Sequence, residues 1–438
     1  MATRSQRRRG ANMSLSNDDQ NHIRNADGAA VEIALGALSS LDAISANNAF
    51  ADYRITHAPP YTAGEADNIR ELMAIGFTNH CIDGWAFLSR AMAALLAGDN
   101  HAVRHFAYYA ELRGGMSLLA AAGIGIFNRS NIVTLNGGEL ETLQPEGTHV
   151  AVWEALDAWL PSQTAAQLIA GSLEIAGISL GECLNILLPG AGGAAVYSLS
   201  TMVFHWGLDL KQARADKHTR EISSYDPHAL FPVRNTADDA FNFTAILWKS
   251  FEPAGIDRYD EIDRHILRTA LQHYFDQGHT ISEGDYNRLP TEVRSIASFE
   301  FLTSSDFIHE HPLIIAARDN IEPAPPFAML ARAALLMRTA TSVTRAALRK
   351  TGLLAPGFVR PWLTKYAADR AIVDEELPDI ADELWHDIDD AITRIRTLQT
   401  DAGQRARTFT RWVAANDPNA AVPRLSEFER VALWSFAV

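Results

Sequence analysis

Apolar residues recur at spacings of three and four along nearly the whole chain, while period-two runs are almost missing. That pattern predicts an all-α protein. Helices are expected near 29–50, 65–97, 101–122, 150–188, 194–218, 235–250, 257–276, 326–351, 358–397, 400–415 and 424–436. The exception is Ile132-Val-Thr-Leu-Asn-Gly-Gly-Glu-Leu-Glu-Thr-Leu143, where Asn136-Gly137 lies between alternating runs. Asn-Gly at that place is a strong hairpin signal, so a small β-hairpin is expected near 131–143.

The predicted architecture is therefore a multi-helix bundle core with one β-hairpin insertion and a C-terminal helical region. No fixed-period repeat is visible, which argues against a solenoid. Three prolines within Ile321-Glu-Pro-Ala-Pro-Pro326 mark the main joint, dividing a core at 29–320 from a helical region at 321–438. A weaker joint falls near 223–233. Residues 1–28 are expected to be a disordered basic leader: the first twelve carry four Arg and no acid, with no apolar stretch following as a secretory signal requires. Met13 is an alternative start. The uncharged run from Cys183 to Phe204 is long enough to span a bilayer, but Pro189 to Gly193 breaks its centre, so two short buried helices are expected and no membrane partner.

Composition narrows the function. The chain has 438 residues and a net charge of −15; without residues 1–12 the balance is 34 basic against 53 acidic residues, or −19. Broad, sequence-blind nucleic-acid binding over the whole surface is excluded. Only five of the 38 basic residues are Lys and the other 33 are Arg, so any local anion site is arginine-built. Two cysteines, Cys81 and Cys183, make no disulfide framework and suit a reducing, cytoplasmic setting.

The segment Asp99 to Ile124 has most character. Ala107, Ala110, Gly114, Ser117 and Ala121 share one stripe that lets a second helix approach closely, with Gly123 as the stop. A helical hairpin ending in Ala-Tyr-Tyr-Ala-Glu-Leu-Arg and then Leu-Leu-Ala-Ala-Ala-Gly-Ile resembles the HEPN superfamily, and within it the YaaC-like proteins, over about residues 65–230. The resemblance implies an antiparallel bundle, frequent homodimerisation, and roles in RNA cleavage or binding within bacterial defence or toxin systems. It also implies a metal-independent site of Arg, four to six intervening residues and then His, the Arg holding phosphate and the His moving protons at the ribose 2′-hydroxyl. No cofactor or metal is expected.

That spacing occurs at Arg268 to His273 and at Arg258 to His265, but with 33 Arg and 15 His chance supplies about three matches, so neither is informative. Position after the apolar helices favours Lys217-His-Thr-Arg-Glu-Ile-Ser-Ser-Tyr-Asp-Pro-His228. The candidate site is Arg220 with His218, Tyr225 and His228. It departs from the family pattern, because Tyr225 stands where His is expected and a phenol with a pKa near ~10 is a poor base. The packing role for the same residues competes directly with the catalytic one.

Other constellations have plainer readings. His101 and His105, one turn apart, read as a solvent face more readily than as metal ligands. Glu383-Leu-Trp-His386 lacks the second pair that a diiron bundle needs and reads as a solvated acidic face, while His309-Glu-His311 reads as an exposed turn. Arg332, Arg338, Arg345 and Arg349 line one edge of an apolar helix, offering a binding edge for RNA or an acidic partner, or ion pairs with the protein's own acids. Two functions are thus expected: an RNA-cleaving or RNA-binding protein, or a non-catalytic helical scaffold or sensor subunit that recognises a partner protein.

Overall fold

A computed structural model describes residues 15–38, 60–189, 210–226, 236–399 and 421–437, apart from short gaps at 128–129, 145, 256–257, 307–308, 323 and 356. Among these residues the fold is all-α with two small antiparallel sheets. The N-terminal half runs α1 (Asn17–Arg24), α2 (Ala29–Gly36), α3 (Ala63–Ala97), α4 (Asn100–Ala121), β1 (Ile124–Gly125), β2 (Ile132–Thr134), β3 (Leu140–Thr142), α5 (Thr148–Trp159), α6 (Gln163–Ser172), β4 (Glu174–Ile175), β5 (Ile178–Ser179), α7 (Leu180–Leu187) and α8 (Leu210–Tyr225). The remainder runs α9 (Ala237–Ser250), α10 (Asp260–Asp276), α11 (Glu283–Tyr286), α12 (Thr291–Ile296), α13 (Phe299–Thr303), α14 (Pro312–Ala317), α15 (Pro326–Lys350), α16 (Val359–Asp369), α17 (Ala381–Gln399), α18 (Ala421–Ser426) and α19 (Glu429–Phe436).

The architectural centre is α3, α4 and α15. The antiparallel pair α3 and α4 is capped at its turn by left-handed Gly98 and by the Asp99 side chain, which accepts from the Ala102 N–H at 3.0 Å. Nearly every side chain of α15 is buried against this pair. The small-residue stripe of α4 explains how. Ser117 donates to the Phe77 carbonyl at 2.8 Å, while Gly114 on α4 and Gly84 on α3 close over the Met337 thioether from two sides. A Cβ at Gly84 would overlap the Met337 sulfur, and Met337 is fully buried with Gly114 behind it, so it has nowhere to swing. Gly84→Ala should therefore destabilise by about 1–2 kcal/mol despite the gain in helix propensity, and Met337→Ala should recover part of that loss in chemical denaturation of the double variant.

The hairpin forms where expected. β2 pairs with β3 in the register Val133 to Glu141, around a turn with Gly137 and Gly138 at φ near +81° and +80°. It gains a third strand, β1, which follows Gly123 at φ +85° as the stop of α4.

Four expectations are corrected. Residues 15–28 are ordered: Ser16 and Asp19 form a capping box for α1, Leu15 and Ile23 are buried, and the Asp27 N–H donates to the Thr134 carbonyl at 2.8 Å. The expected helix over 150–188 breaks at Pro161 and again at a tight hairpin through Ala176 and Gly177, the latter at φ +91°. Helix 358–397 divides into α16 and α17. The proline joint before 326 does not separate two cores, because α15 lies inside one continuous cluster of buried residues running from Leu15 to Phe436. Residues 190–204, in the uncharged run, and the expected helix at 400–415 lie outside the described residues. Among the described residues, no helix is long and apolar enough to cross a membrane.

Candidate functional site

α8 packs across α4 and α5, and its inward face repeats every fourth residue at Asp216, Arg220 and Ser224. Asp216 fixes the helix. Arg332 of α15 grips its carboxylate with two hydrogen bonds, of 2.8 Å and 2.7 Å, and donates to the Ala317 and Asp319 carbonyls at 3.1 Å each. Thr219 accepts from the Ala324 N–H at 3.3 Å. Glu111 of α4 faces the same guanidinium at 3.8 Å, with neither carboxyl oxygen hydrogen-bonded to a donor. Burial and then the Asp216 charge hold the Glu111 carboxyl well above the usual carboxylate range.

One turn along α8, Arg220 is only 5% exposed, and no carboxylate lies within ion-pairing distance of it among the described residues. Its guanidinium carbon sits 5.0 Å from the Tyr108 ring centroid and 5.5 Å from that of Tyr109, and its Nε has no hydrogen-bond partner. Cation–π attraction substitutes for a counter-charge. Two histidines flank it. His105 of α4 lies 2.8 Å from the Ser224 hydroxyl through Nδ1, and His149, in the first turn of α5, lies 3.1 Å from the Tyr108 hydroxyl through Nδ1.

Trp153 Nε1 donates to the Tyr108 oxygen at 3.3 Å. With the phenolic proton directed to His149 Nδ1, His149 carries its own proton on Nε2. His105 is free to donate from Nδ1 to Ser224, which leaves Nε2 as a base. Burial, followed by the Arg220 charge, lowers the pKa of both imidazoles, and Lys217 adds to the effect on His149. Both are therefore neutral at neutral pH. Beside them opens a cleft of about 450 Å³ lined by Arg24, His149, Lys217 and His218 together with Glu154, Asp157 and Glu221.

Of the residues expected from sequence, Arg220 is the point of convergence. His218 is exposed on the cleft wall, Tyr225 is 77% exposed at the end of α8, and His228 lies outside the described residues. His149 was not signalled at all, and His105 is half-buried in the ring cluster instead of forming part of a solvent face. The arginine edge of α15 is likewise turned inward. Arg332 holds Asp216; Arg338, fully buried, grips Asp263 at 2.9 and 3.0 Å; Arg345 donates to the Ser435 carbonyl; and Arg349, about half exposed, pairs with Glu174 at 2.5 Å. Pairing with the chain's own acids and carbonyls engages all four, and Arg332, Arg338 and Arg345 are buried.

The remaining motifs are structural. Arg268 clasps the carbonyls of Phe301, Ser304 and Asp306, His265 and His311 pack ring to ring beside Glu261, and His386 lies 3.6 Å from Asp390 on an exposed face. Among the described residues no group of three His, Cys, Asp or Glu side chains is placed to hold a metal ion. No family model, curated protein or solved structure matches the chain.

Proposed function

We propose that this chain is a HEPN-like protein that binds and cleaves RNA at the cluster of Arg220, His105 and His149. One observation carries the reading: a buried arginine with no carboxylate partner among the described residues, flanked by the neutral imidazoles of His105 and His149, the latter in the wall of an open cleft. Such an arginine is matched by an anionic ligand, and a phosphodiester supplies both the charge and a hydroxyl for a neutral imidazole to act on.

In this reading His105 Nε2 takes the 2′-hydroxyl proton, the 2′-oxygen bonds to phosphorus, and the bond to the 5′-oxygen breaks. The imidazolium returns its proton to that leaving oxygen, giving a cyclic phosphate and a free 5′-hydroxyl. Arg220 and the Nε2–H of His149 stabilise the charge that develops on the phosphoryl oxygens. The site differs from the family's local Arg-to-His spacing, since its histidines come from α4 and α5.

Incubation of purified protein with total RNA tests it. Cleavage is expected, and His105→Asn should abolish it while leaving the melting temperature near wild type. No cleavage, or cleavage unchanged in both His105→Asn and Arg220→Ala, sinks the catalytic reading. The competing scaffold or sensor function draws support from Tyr225 standing at the family's His position, and it predicts that RNA is neither bound nor cut.

A further inference from the structure

The ring cluster does not stop at Arg220. His105 lies 5.0 Å from Tyr109, and Tyr109 stacks at 5.2 Å and 25° on Phe87 of α3. Phe87 also lies near-parallel to Phe106, at 6.5 Å and 27°. These three aromatic side chains are only partly buried, unlike Tyr108 beneath them. Cations border the line. The exposed Arg90 lies 5.3 Å over the Phe87 ring, and Arg113, one turn beyond Tyr109, donates to His80 at 2.7 Å. Asp83 lies 3.7 Å from Arg113.

The sequence produces this by periodicity. Positions 83, 87 and 90 share one face of α3, and positions 106, 109 and 113 share the facing side of α4. A solvated helix pair normally fills such a face with charged and polar side chains, not with rings. Partly buried rings interspersed with arginines are instead the composition of surfaces that hold single-stranded nucleic acid, where bases stack on rings and guanidinium groups meet phosphates.

We propose that Phe87, Phe106 and Tyr109, flanked by Arg90 and Arg113, form a stacking platform for the unpaired nucleotides adjoining the scissile bond. The inference rests on the RNA reading of the Arg220 cluster and deepens it: the substrate is single-stranded, and its flanking bases lie along α3 and α4. A rigid duplex keeps its bases stacked on each other and offers no faces to these rings. The platform also answers the acidity of the body, because attraction is confined to two arginines and three rings.

Fluorescence polarisation with a labelled single-stranded RNA of about 12 nucleotides, a length that covers one or more such sites, provides the test. Arg90→Glu, at an exposed position, and Phe106→Ala should each weaken binding by about five- to tenfold, with a shallower salt dependence for Arg90→Glu. A duplex of the same sequence should bind far more weakly and respond to neither change. Arg288→Glu, which alters an exposed arginine paired with Asp285, controls for overall charge. Wild-type affinity in both variants overturns the platform, as does equal binding of the duplex or no binding of the single strand. Binding that depends on Arg90 without any cleavage sustains the platform and rejects the nuclease.

Discussion

Arg332→Leu should destabilise the protein by about 3–5 kcal/mol at neutral pH, the cost of leaving a buried carboxylate without its cation. The guanidinium is 2% exposed and Asp216 fully buried, so no water can replace the lost charge. The loss should also depend on pH in a defined direction. Burial raises both carboxyls above their ordinary values of 3.8 for Asp216 and 4.5 for Glu111, Asp216 to about 6. A raised folded-state pKa means that the folded protein holds more protons than the unfolded chain. The pair's contribution to stability is therefore greatest at low pH and declines as pH rises through the raised values.

Without Arg332 both acids must be neutral to stay buried, so the penalty should be smaller at about pH 5 than at about pH 8, read from urea midpoints at the two values. Glu111→Gln is the complementary variant. It mimics the protonated acid and keeps a donor toward Asp216, so it should cost under about 1 kcal/mol and flatten the decline toward high pH. A Glu111→Gln profile parallel to that of wild type would show that this pair does not set the pH dependence.

Local chemistry explains which parts of the fold were legible in the sequence. The Asn136-Gly137 turn and the small stripe of α4 are written in adjacent or helically spaced residues, and both form as expected. The order of residues 15–28 was equally local, since Ser16 and Asp19 make a capping box, but the arginines before Met13 drew the disordered reading past it. Long-range pairing was not legible. An arginine on an apolar helix reads as solvent-facing until its acid is known, and the acids of Arg332 and Arg338 sit on α8 and α10. The site shows the same limit from the other side. Arg220 was found because its segment follows the apolar helices, whereas His149 reaches it only through the packing of α5 on α4 and α8, which no spacing in the sequence encodes.

If Arg220 acts on its histidines through charge, Arg220→Gln should move both of their titrations upward. Burial is the larger cause of the lowered pKa at His105 and His149, and the Arg220 charge is the next. Removing the charge should therefore bring each imidazole partway back toward 6.5, visible in the histidine ring-proton shifts by NMR whether or not the protein is a nuclease. On cleavage the expected loss is about 10²–10³-fold, the scale of removing one preorganised donor to a developing anion. The wild-type rate should fall in acid only below the ordinary histidine range, because His105 must be neutral to accept a proton, and should be flat through neutrality. Lysine at position 220 should rescue little, since an ammonium ion cannot lie flat against Tyr108 and Tyr109 while reaching a phosphate. Tyr225→Phe should leave the rate unchanged, its side chain being exposed at the end of α8. Titrations unmoved by Arg220→Gln would mean that the charge does not reach the two imidazoles, and the arginine would then be a packing element of the ring cluster.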